Sequence, residues 1–183
     1  MNRPGMKKFI QSLSADEAAL VFKDMLDNDP SLMKKAYESA IKVICDVDAD
    51  EVMNNVYNTL DRLDMDDLSG RAGKTRYGYV EPTEAAWELF KEALDPFIDE
   101  MKKNQKCALP AAAKAYCIGI IRGLWMYKED STSDFADWLE DAPDQCVDTV
   151  IDEWKKGNPP KKDITEVMSI AKGDRSDVLH NEY

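Results

Sequence analysis

One string in the chain has the residue types of a phosphate-binding loop. The run Gly70-Arg71-Ala72-Gly73-Lys74-Thr75 ends in the Gly-Lys-Thr with which such loops hold nucleotide phosphates and magnesium. That loop also needs a glycine five residues before its second glycine, and Leu68 occupies this position. No hydrophobic strand precedes the string and no helical pattern follows it. We therefore interpret it as a flexible glycine-rich turn.

A second string is similar to the opening of a calcium-binding loop. Asp46-x-Asp48-x-Asp50 has the required spacing of carboxylates. A calcium loop also needs a glycine at its sixth position and a glutamate at its twelfth, which here are Glu51 and Tyr57. Aspartate is a favoured residue at the start of a helix, so we interpret Asp48 as a helix cap.

Two acidic pairs are similar to the magnesium motifs of all-α nucleotide pyrophosphohydrolases. They are Glu81-x-x-Glu84 and Glu92-x-x-Asp95. Those enzymes bring four carboxylates together from two helices, whereas both pairs here lie within one predicted helix. A solvated acidic helix face is the preferred interpretation. A metal-dependent hydrolase that uses carboxylates clustered from several helices remains the alternative.

The thiols and the single histidine form no catalytic or zinc-binding pattern. Cys45, Cys107, Cys117 and Cys146 are far apart in the chain, and the one histidine, His180, is three residues from its end. No signal peptide places the thiols in an oxidising compartment. We expect reduced thiols in a cytoplasmic protein, with no catalytic residue, no metal and no cofactor.

The charge balance limits the partners. The chain has 24 Lys and Arg against 36 Asp and Glu, a net charge of −12. Nucleic acids and anionic membranes attract basic surfaces, so we expect neither as a partner. The 44% of hydrophobic residues is enough for a real core. The length of 183 residues predicts a single domain, 1–183.

Apolar residues recur at spacings of three and four, which predicts helices almost throughout. Ser14 and Glu17 have the spacing of a capping box at a helix start. Asn28-Asp29-Pro30 should end one helix and begin the next. The stripes expected to pack helices together are Ala18, Val21, Phe22 and Met25; Met33, Tyr37, Ala40 and Ile44; Val52, Val56, Leu60 and Leu63; and Val147, Val150, Ile151 and Trp154.

Other parts of the chain depart from this simple periodicity. Residues 64–82 are predicted to form one long loop, with a short extended piece at 77–80. Pro96 should kink or split the helix in which it lies, and the apolar stripe, which keeps its phase across Pro96, favours a kink. Residues 108–127 are apolar on nearly every side and predict the central, most buried helix. A short helix should follow Ser131 and Ser133, Asp163 with Glu166 should cap a last one, and residues from 173 should form a flexible tail.

The fold class predicted from these elements is all-α. Two architectures fit: stacked helical hairpins, as in α-solenoids of the HEAT or TPR type, or an irregular multi-helix bundle. Residues 17–30 and 84–96 share a faint similarity. It favours stacking if it reflects a helical repeat, and chance similarity between two acidic helices is the alternative explanation.

A candidate contact surface lies in the predicted loop. Arg71, Lys74 and Arg76 are close in sequence to Tyr77 and Tyr79. Arginine and tyrosine are enriched at protein interfaces, so these five residues are the predicted binding residues.

The chain also resembles the uncharacterised helical region found beside SWIM-type zinc fingers in bacterial and archaeal proteins. The features that carry the resemblance are the helix pair joined at Asp29-Pro30, the run Tyr77-Gly78-Tyr79-Val80, and the alanine-rich helix 108–124 that runs into Glu129-Asp130-Ser131. It spans about residues 14–155. The zinc-finger Cys/His set is absent here, and the family's fuller acidic-Ser-Gly turn reads Asp130-Ser131-Thr132-Ser133-Asp134. The resemblance implies a stacked-helix interaction module and supplies no catalytic residue.

These observations favour a non-catalytic protein-interaction or scaffold domain. Its partner would be another protein, bound through a helical groove or the 64–82 segment. Besides the metal-dependent hydrolase, one further alternative is an acidic mimic of nucleic acid that occupies a basic protein. The sequence leaves the partner and the oligomeric state open.

Overall fold

The fold is all-α, as predicted. The computed structural model describes residues 3–44, 46–68, 71–75 and 78–173, and these contain eight α-helices and one short β-ribbon. The helices are α1 (Arg3–Gln11), α2 (Ala15–Asn28), α3 (Pro30–Ile44), α4 (Ala49–Asp61), α5 (Pro82–Lys106), α6 (Pro110–Asp130), α7 (Ala142–Lys155) and α8 (Lys161–Ala171). The strands are β1 (Gly73–Thr75) and β2 (Gly78–Val80). None of these helices is long and apolar enough to cross a lipid bilayer.

Backbone contacts divide the chain into two compact units. The N-terminal unit, Met1–Ile44, holds α1 to α3, and the C-terminal unit, Cys45–Tyr183, holds the other five helices and the ribbon. The two units are described separately. The single domain over 1–183 stays a prediction.

Helices α2 and α3 of the N-terminal unit begin where the sequence predicts. The Ser14 hydroxyl accepts a hydrogen bond from the Glu17 backbone N–H, and the Glu17 carboxylate accepts one from the Ser14 N–H, at 3.3 and 2.9 Å. This capping box starts α2. One residue, Asp29, separates α2 from α3, whose first residue is Pro30. Proline suits this position because a first-turn residue needs no N–H within the helix.

The C-terminal unit is a bundle around α6, the predicted central helix. Helices α4, α5, α7 and α8 all contact α6, and ten of its residues are buried. The predicted stripes of α4 and α7 point into this core, where Val56, Leu60 and Val150 are completely buried. In a solenoid each repeat contacts only its neighbours, so this unit is the irregular multi-helix bundle of the two predicted architectures.

Two glycines let α4 approach α6 closely. A Cβ added at Gly119 would lie 2.5 Å from the Val52 Cβ, and one added at Gly123 would lie 2.7 Å from the Val56 Cβ. The glycines are four residues apart and so are the valines, so each glycine faces one valine on successive turns. The sequence signal for this close approach is the Gly-x-x-x-Gly spacing of Gly119 and Gly123.

Helix α5 continues through Pro96 over 25 residues. Proline removes one backbone hydrogen bond, but packing on both sides of it holds the helix together. Phe90 and Leu94 before the proline and Met101 after it are all buried. The apolar stripe that keeps its phase across Pro96 therefore predicted one helix correctly.

The short helix predicted after Ser131 and Ser133 is only a 3-10 turn, Ala136–Trp138. The two serines tie this turn to the end of α4. The Ser131 hydroxyl donates to the Asp61 carboxylate at 2.7 Å, and the Ser133 hydroxyl donates to the Leu63 carbonyl at 3.0 Å. These serines therefore position the segment that buries Phe135.

The predicted capping of the last helix by Asp163 and Glu166 is wrong. Pro160 precedes α8, and no side chain caps its first turn. Both carboxylates instead accept hydrogen bonds from the Lys114 ammonium of α6, at 2.8 and 2.6 Å. The Lys114 side chain is only 20% exposed, so this pairing fixes α8 on α6.

Residues 64–82 are more ordered than the predicted loop. They contain a 3-10 turn, Met65–Leu68, and the two strands. The strands pair antiparallel, with Lys74 opposite Tyr79. The predicted extended piece corresponds to β2, although Tyr77 itself lies outside the described residues, as does nearly all of the tail predicted from 173.

Candidate functional site

The N-terminal unit has helices but no core. Among residues 4–42, whose side chains the structure describes, none is buried. Nine large apolar side chains there are 45–68% exposed. We call them the N-terminal apolar surface: Met6, Phe9, Ile10, Leu20, Val21, Phe22, Met25, Met33 and Tyr37. The stripes of α2 and α3 were expected to pack inward; their helical spacing is confirmed, but their burial is not.

Part of this surface lies between α2 and α3, which contact each other. The groove there has a volume of about 450 Å³. Helix α2 contributes Phe22, Met25 and Leu26 to one wall of the groove, and α3 contributes five residues to the other wall. The residues of that second wall are Leu32, Lys35, Ala36, Ser39 and Ala40. Ala36, Ser39 and Ala40 of α3 are small, and they leave room for inserted side chains opposite the larger residues of α2.

The two helices beside the groove carry opposite charges. Helix α2 has four acidic residues and one lysine, a net charge of −3. Helix α3 has three lysines and one glutamate, a net charge of +2. Lys35 is the charged side chain among those that line the groove. A ligand for this groove therefore meets apolar walls, with an acidic helix on one side and a basic helix on the other.

The predicted contact surface is only partly described. Arg71 is bound to Glu92 of α5, with 2.6 Å between the guanidinium and the carboxylate. Lys74 and Tyr79 are exposed on neighbouring strands, and Tyr79 is 66% exposed. Arg76 and Tyr77 lie outside the described residues. The ribbon thus brings a lysine and a tyrosine together, while Arg71 is held by an acidic partner.

The string that ends in Gly73-Lys74-Thr75 forms β1 of the ribbon. Phosphate-binding loops end in a helix whose first N–H groups face the phosphate. Here an antiparallel strand follows, and Gly73 has a φ of +84° at the start of β1. This geometry is not that of a phosphate-binding loop. The interpretation of the string as a turn holds for Arg71 and Ala72, whereas Gly73–Thr75 is a strand.

The first acidic string also has its predicted role. The Asp48 carboxylate accepts a hydrogen bond from the Asp50 N–H at 2.9 Å and caps α4. The Asp50 carboxylate in turn binds the Arg122 guanidinium of α6 at 2.9 Å. Both carboxylates are therefore engaged in helix capping and helix packing.

The acidic pairs Glu81/Glu84 and Glu92/Asp95 do not belong to a metal-binding cluster among the described residues. Among the residues that the structure describes, no three His, Cys, Asp or Glu side chains lie close enough to hold a metal ion together. Glu92 is the member of these pairs whose partner is described, and that partner is Arg71. The hydrolase alternative therefore has no metal-binding cluster among the described side chains.

Two cysteines lie in the core of the C-terminal unit. Burial raises the pKa of the Cys117 thiol to about 12 and that of the Cys146 thiol to about 11. A thiol with such a pKa is protonated at neutral pH and is a poor nucleophile. Cys107 is exposed at the end of α5. Cys45 lies outside the described residues.

Comparison with known proteins gives no relative. No family model, no curated protein and no solved structure matches the chain. The resemblance to the helical region beside SWIM-type zinc fingers therefore stays a prediction.

Proposed function

We propose that the chain is a non-catalytic protein-interaction module that binds another protein through its N-terminal apolar surface. One observation carries the proposal: α1 to α3 expose nine large apolar side chains and bury none of the described ones. An exposed apolar patch of this kind is typical of an interface in a folded protein.

The low folding stability expected of the N-terminal unit alone supports binding to a partner. Chains of about 40 residues cannot usually stay folded without added crosslinks, metals or association. Fully burying one large apolar side chain contributes roughly 1.5–3 kcal/mol, so half-exposed side chains leave about 1 kcal/mol each ungained. A protein that covers several of them would supply the burial that this unit lacks.

The ribbon is the second candidate surface of the same function. It supports the proposal less strongly because Tyr79 is the one large apolar side chain described there as exposed, and Arg71 already has a partner. Interfaces usually gain most of their binding energy from several clustered anchors. The groove between α2 and α3 offers such a cluster, since Phe22, Met25 and Leu26 line it together with Leu32.

Site-specific photocrosslinking can separate the two surfaces. A photoreactive phenylalanine analogue replaces Tyr37 on α3 in one variant and Tyr79 on β2 in another. The two tyrosines are matched controls, since they are 52% and 66% exposed. After irradiation in native cells, we expect discrete protein adducts from position 37 and few from position 79.

Other results have a definite meaning. Adducts from position 79 alone would show that the interface is the ribbon and not the N-terminal apolar surface. Adducts from neither position, in cells where the protein is folded and abundant, would contradict the proposed function.

A further inference from the structure

We propose that the partner of the N-terminal apolar surface is a second copy of the same chain, bound through the groove between α2 and α3. This inference rests on the proposed function and names the partner. The two copies would pair in an isologous manner, with the same groove contributed by each.

Charge complementarity between α2 and α3 is the first support. In a face-to-face pair of helix hairpins, each helix can lie beside the unlike helix of the other copy. The acidic α2, at −3, would then lie beside the basic α3, at +2, twice in each dimer. The opposite net charges of the two helices favour this register over the one that places like helices together, and Lys35 is the charged residue that lines the groove itself.

The charge of the whole chain is the second support. Residues 1–44 carry seven Lys and Arg and six Asp and Glu, a net charge of +1. The total net charge is −12, so the other 139 residues carry a net charge of −13. Two copies that met through their C-terminal units would bring two large negative charges together, whereas the N-terminal units can meet without this repulsion.

The available area is the third support. Six members of the N-terminal apolar surface lie on α2 and α3: Leu20, Val21, Phe22, Met25, Met33 and Tyr37. Half-exposed side chains of this size offer roughly 100 Å² each, or about 600 Å² before the surrounding polar atoms are counted. A standard interface buries about 800 Å² on each partner. Of these six, Phe22 and Met25 line the groove, so an interface of standard size must extend from the groove over the flanks of both helices.

Sedimentation equilibrium on the full chain tests this inference. We expect a monomer–dimer equilibrium at micromolar concentration. Met25→Gln keeps the length of the side chain and suits a helix, but it places an amide in the groove. We expect it to weaken dimerisation by about tenfold or more. Met65→Gln is the matched control, because Met65 is also partly exposed but belongs to the C-terminal unit. It should leave the equilibrium unchanged.

A second pair of variants tests the charge pattern. Lys35 lines the groove, whereas the neighbouring Lys34 does not and lies 3.8 Å from Glu38. We expect Lys35→Glu to weaken the dimer by roughly threefold to tenfold and Lys34→Glu to weaken it less. Circular dichroism of each variant verifies that helix content is unchanged.

Three results would overturn the second copy as the partner. The first is a chain that stays monomeric at about 100 μM, a concentration well above the micromolar Kd expected here. The second is an equal effect of Met25→Gln and Met65→Gln on the equilibrium. The third is binding to anionic phospholipid vesicles without dimerisation. If the chain is a monomer and position 37 still crosslinks to a different protein, the proposed function stands and only the self-association falls. If position 37 also gives no adduct, both fall.

Discussion

Gly123 of α6 lies against Val56 of α4 with no room for a methyl group between them. A Cβ at Gly123 would lie 2.7 Å from the Val56 Cβ and 2.8 Å from the Met53 carbonyl oxygen. Because one of these contacts is with backbone, a rotamer change cannot relieve it. The same relationship holds one turn earlier, between Gly119 and Val52. The two glycines therefore set the distance between the two helices.

The first prediction concerns this helix contact. We expect Gly123→Ala to lower the free energy of unfolding by about 2–3 kcal/mol, since overpacking forces the helices apart. Urea denaturation followed by circular dichroism measures the change. Gly157→Ala is the comparison, because the methyl group it adds meets no backbone atom but only the end of the Gln105 side chain, which can shift at the cost of its hydrogen bonds to the Glu153 and Trp154 carbonyls, a loss of about 1 kcal/mol. An equal loss in both variants would contradict the role of the close approach.

The helices of the C-terminal unit could be predicted because their apolar stripes are also their buried faces. Val52, Val56 and Leu60 illustrate this on α4. Helical periodicity identifies which face of a helix is apolar, but it does not say what covers that face. On α2 the spacing of Phe22 and Met25 was right, yet both remain exposed. Their role in an interface depends on the rest of the structure.

The candidate site shows the same limit. The sequence placed Arg71 among free contact residues, because nothing near it in the chain reveals that Glu92, 21 residues later, binds it. Likewise Asp163 and Glu166 have the spacing of a cap, but Lys114, about 50 residues earlier, binds both. Long-range ion pairs of this kind follow from packing, which periodicity alone does not specify.

The second prediction concerns Lys114. Its hydrogen bonds to Asp163 and Glu166 raise its pKa. The folded state therefore binds this proton more tightly than the unfolded chain does. The resulting stability is complete below the unfolded lysine pKa of about 10.4 and is lost as the pH rises through the higher folded pKa. Replacement by methionine, Lys114→Met, should cost about 1–2 kcal/mol at pH 8.

The pH dependence of that difference is the sharper measurement. Urea denaturation of both proteins at several pH values from 8 upwards should give a difference that shrinks above pH 10. Comparing the two proteins at each pH cancels the titration of groups that they share. A difference that stays constant through this range would contradict a contribution from the charged form.

The third prediction concerns the cap of α4. Asp48→Ala removes the carboxylate that accepts the Asp50 N–H, and the expected loss is about 1 kcal/mol of unfolding free energy. Asp46→Ala is the control, since Asp46 is exposed and precedes the cap. Thermal unfolding of both variants, with and without calcium, gives the comparison. If calcium stabilises the native chain and either substitution abolishes this effect, the string is a calcium site.

The fourth prediction concerns thiol reactivity. Cys117 and Cys146 have pKa values raised by burial to about 12 and 11, so at pH 8 almost no thiolate forms on either. Among these three described thiols, iodoacetamide should therefore modify the exposed Cys107 first. Peptide mass spectrometry of the native protein, and of the protein in urea as the control, locates the label. Rapid labelling of Cys117 in the native state would contradict a stable core around α6.

The fifth prediction separates the interaction module from the metal-dependent hydrolase. A specific site with a Kd of about 10 μM would stabilise the folded chain by about 2.7 kcal/mol at 1 mM metal, which is several degrees in Tm. No described carboxylates cluster in this way, so we expect no such shift with magnesium, manganese or calcium. The net charge of −12 complicates the measurement, because any cation relieves repulsion among the carboxylates. Sodium chloride at matched ionic strength is therefore the control. A shift with magnesium or manganese that exceeds this control and keeps rising with the logarithm of the metal concentration would favour the hydrolase. A shift with calcium that Asp48→Ala abolishes would instead assign the site to the Asp46–Asp50 string.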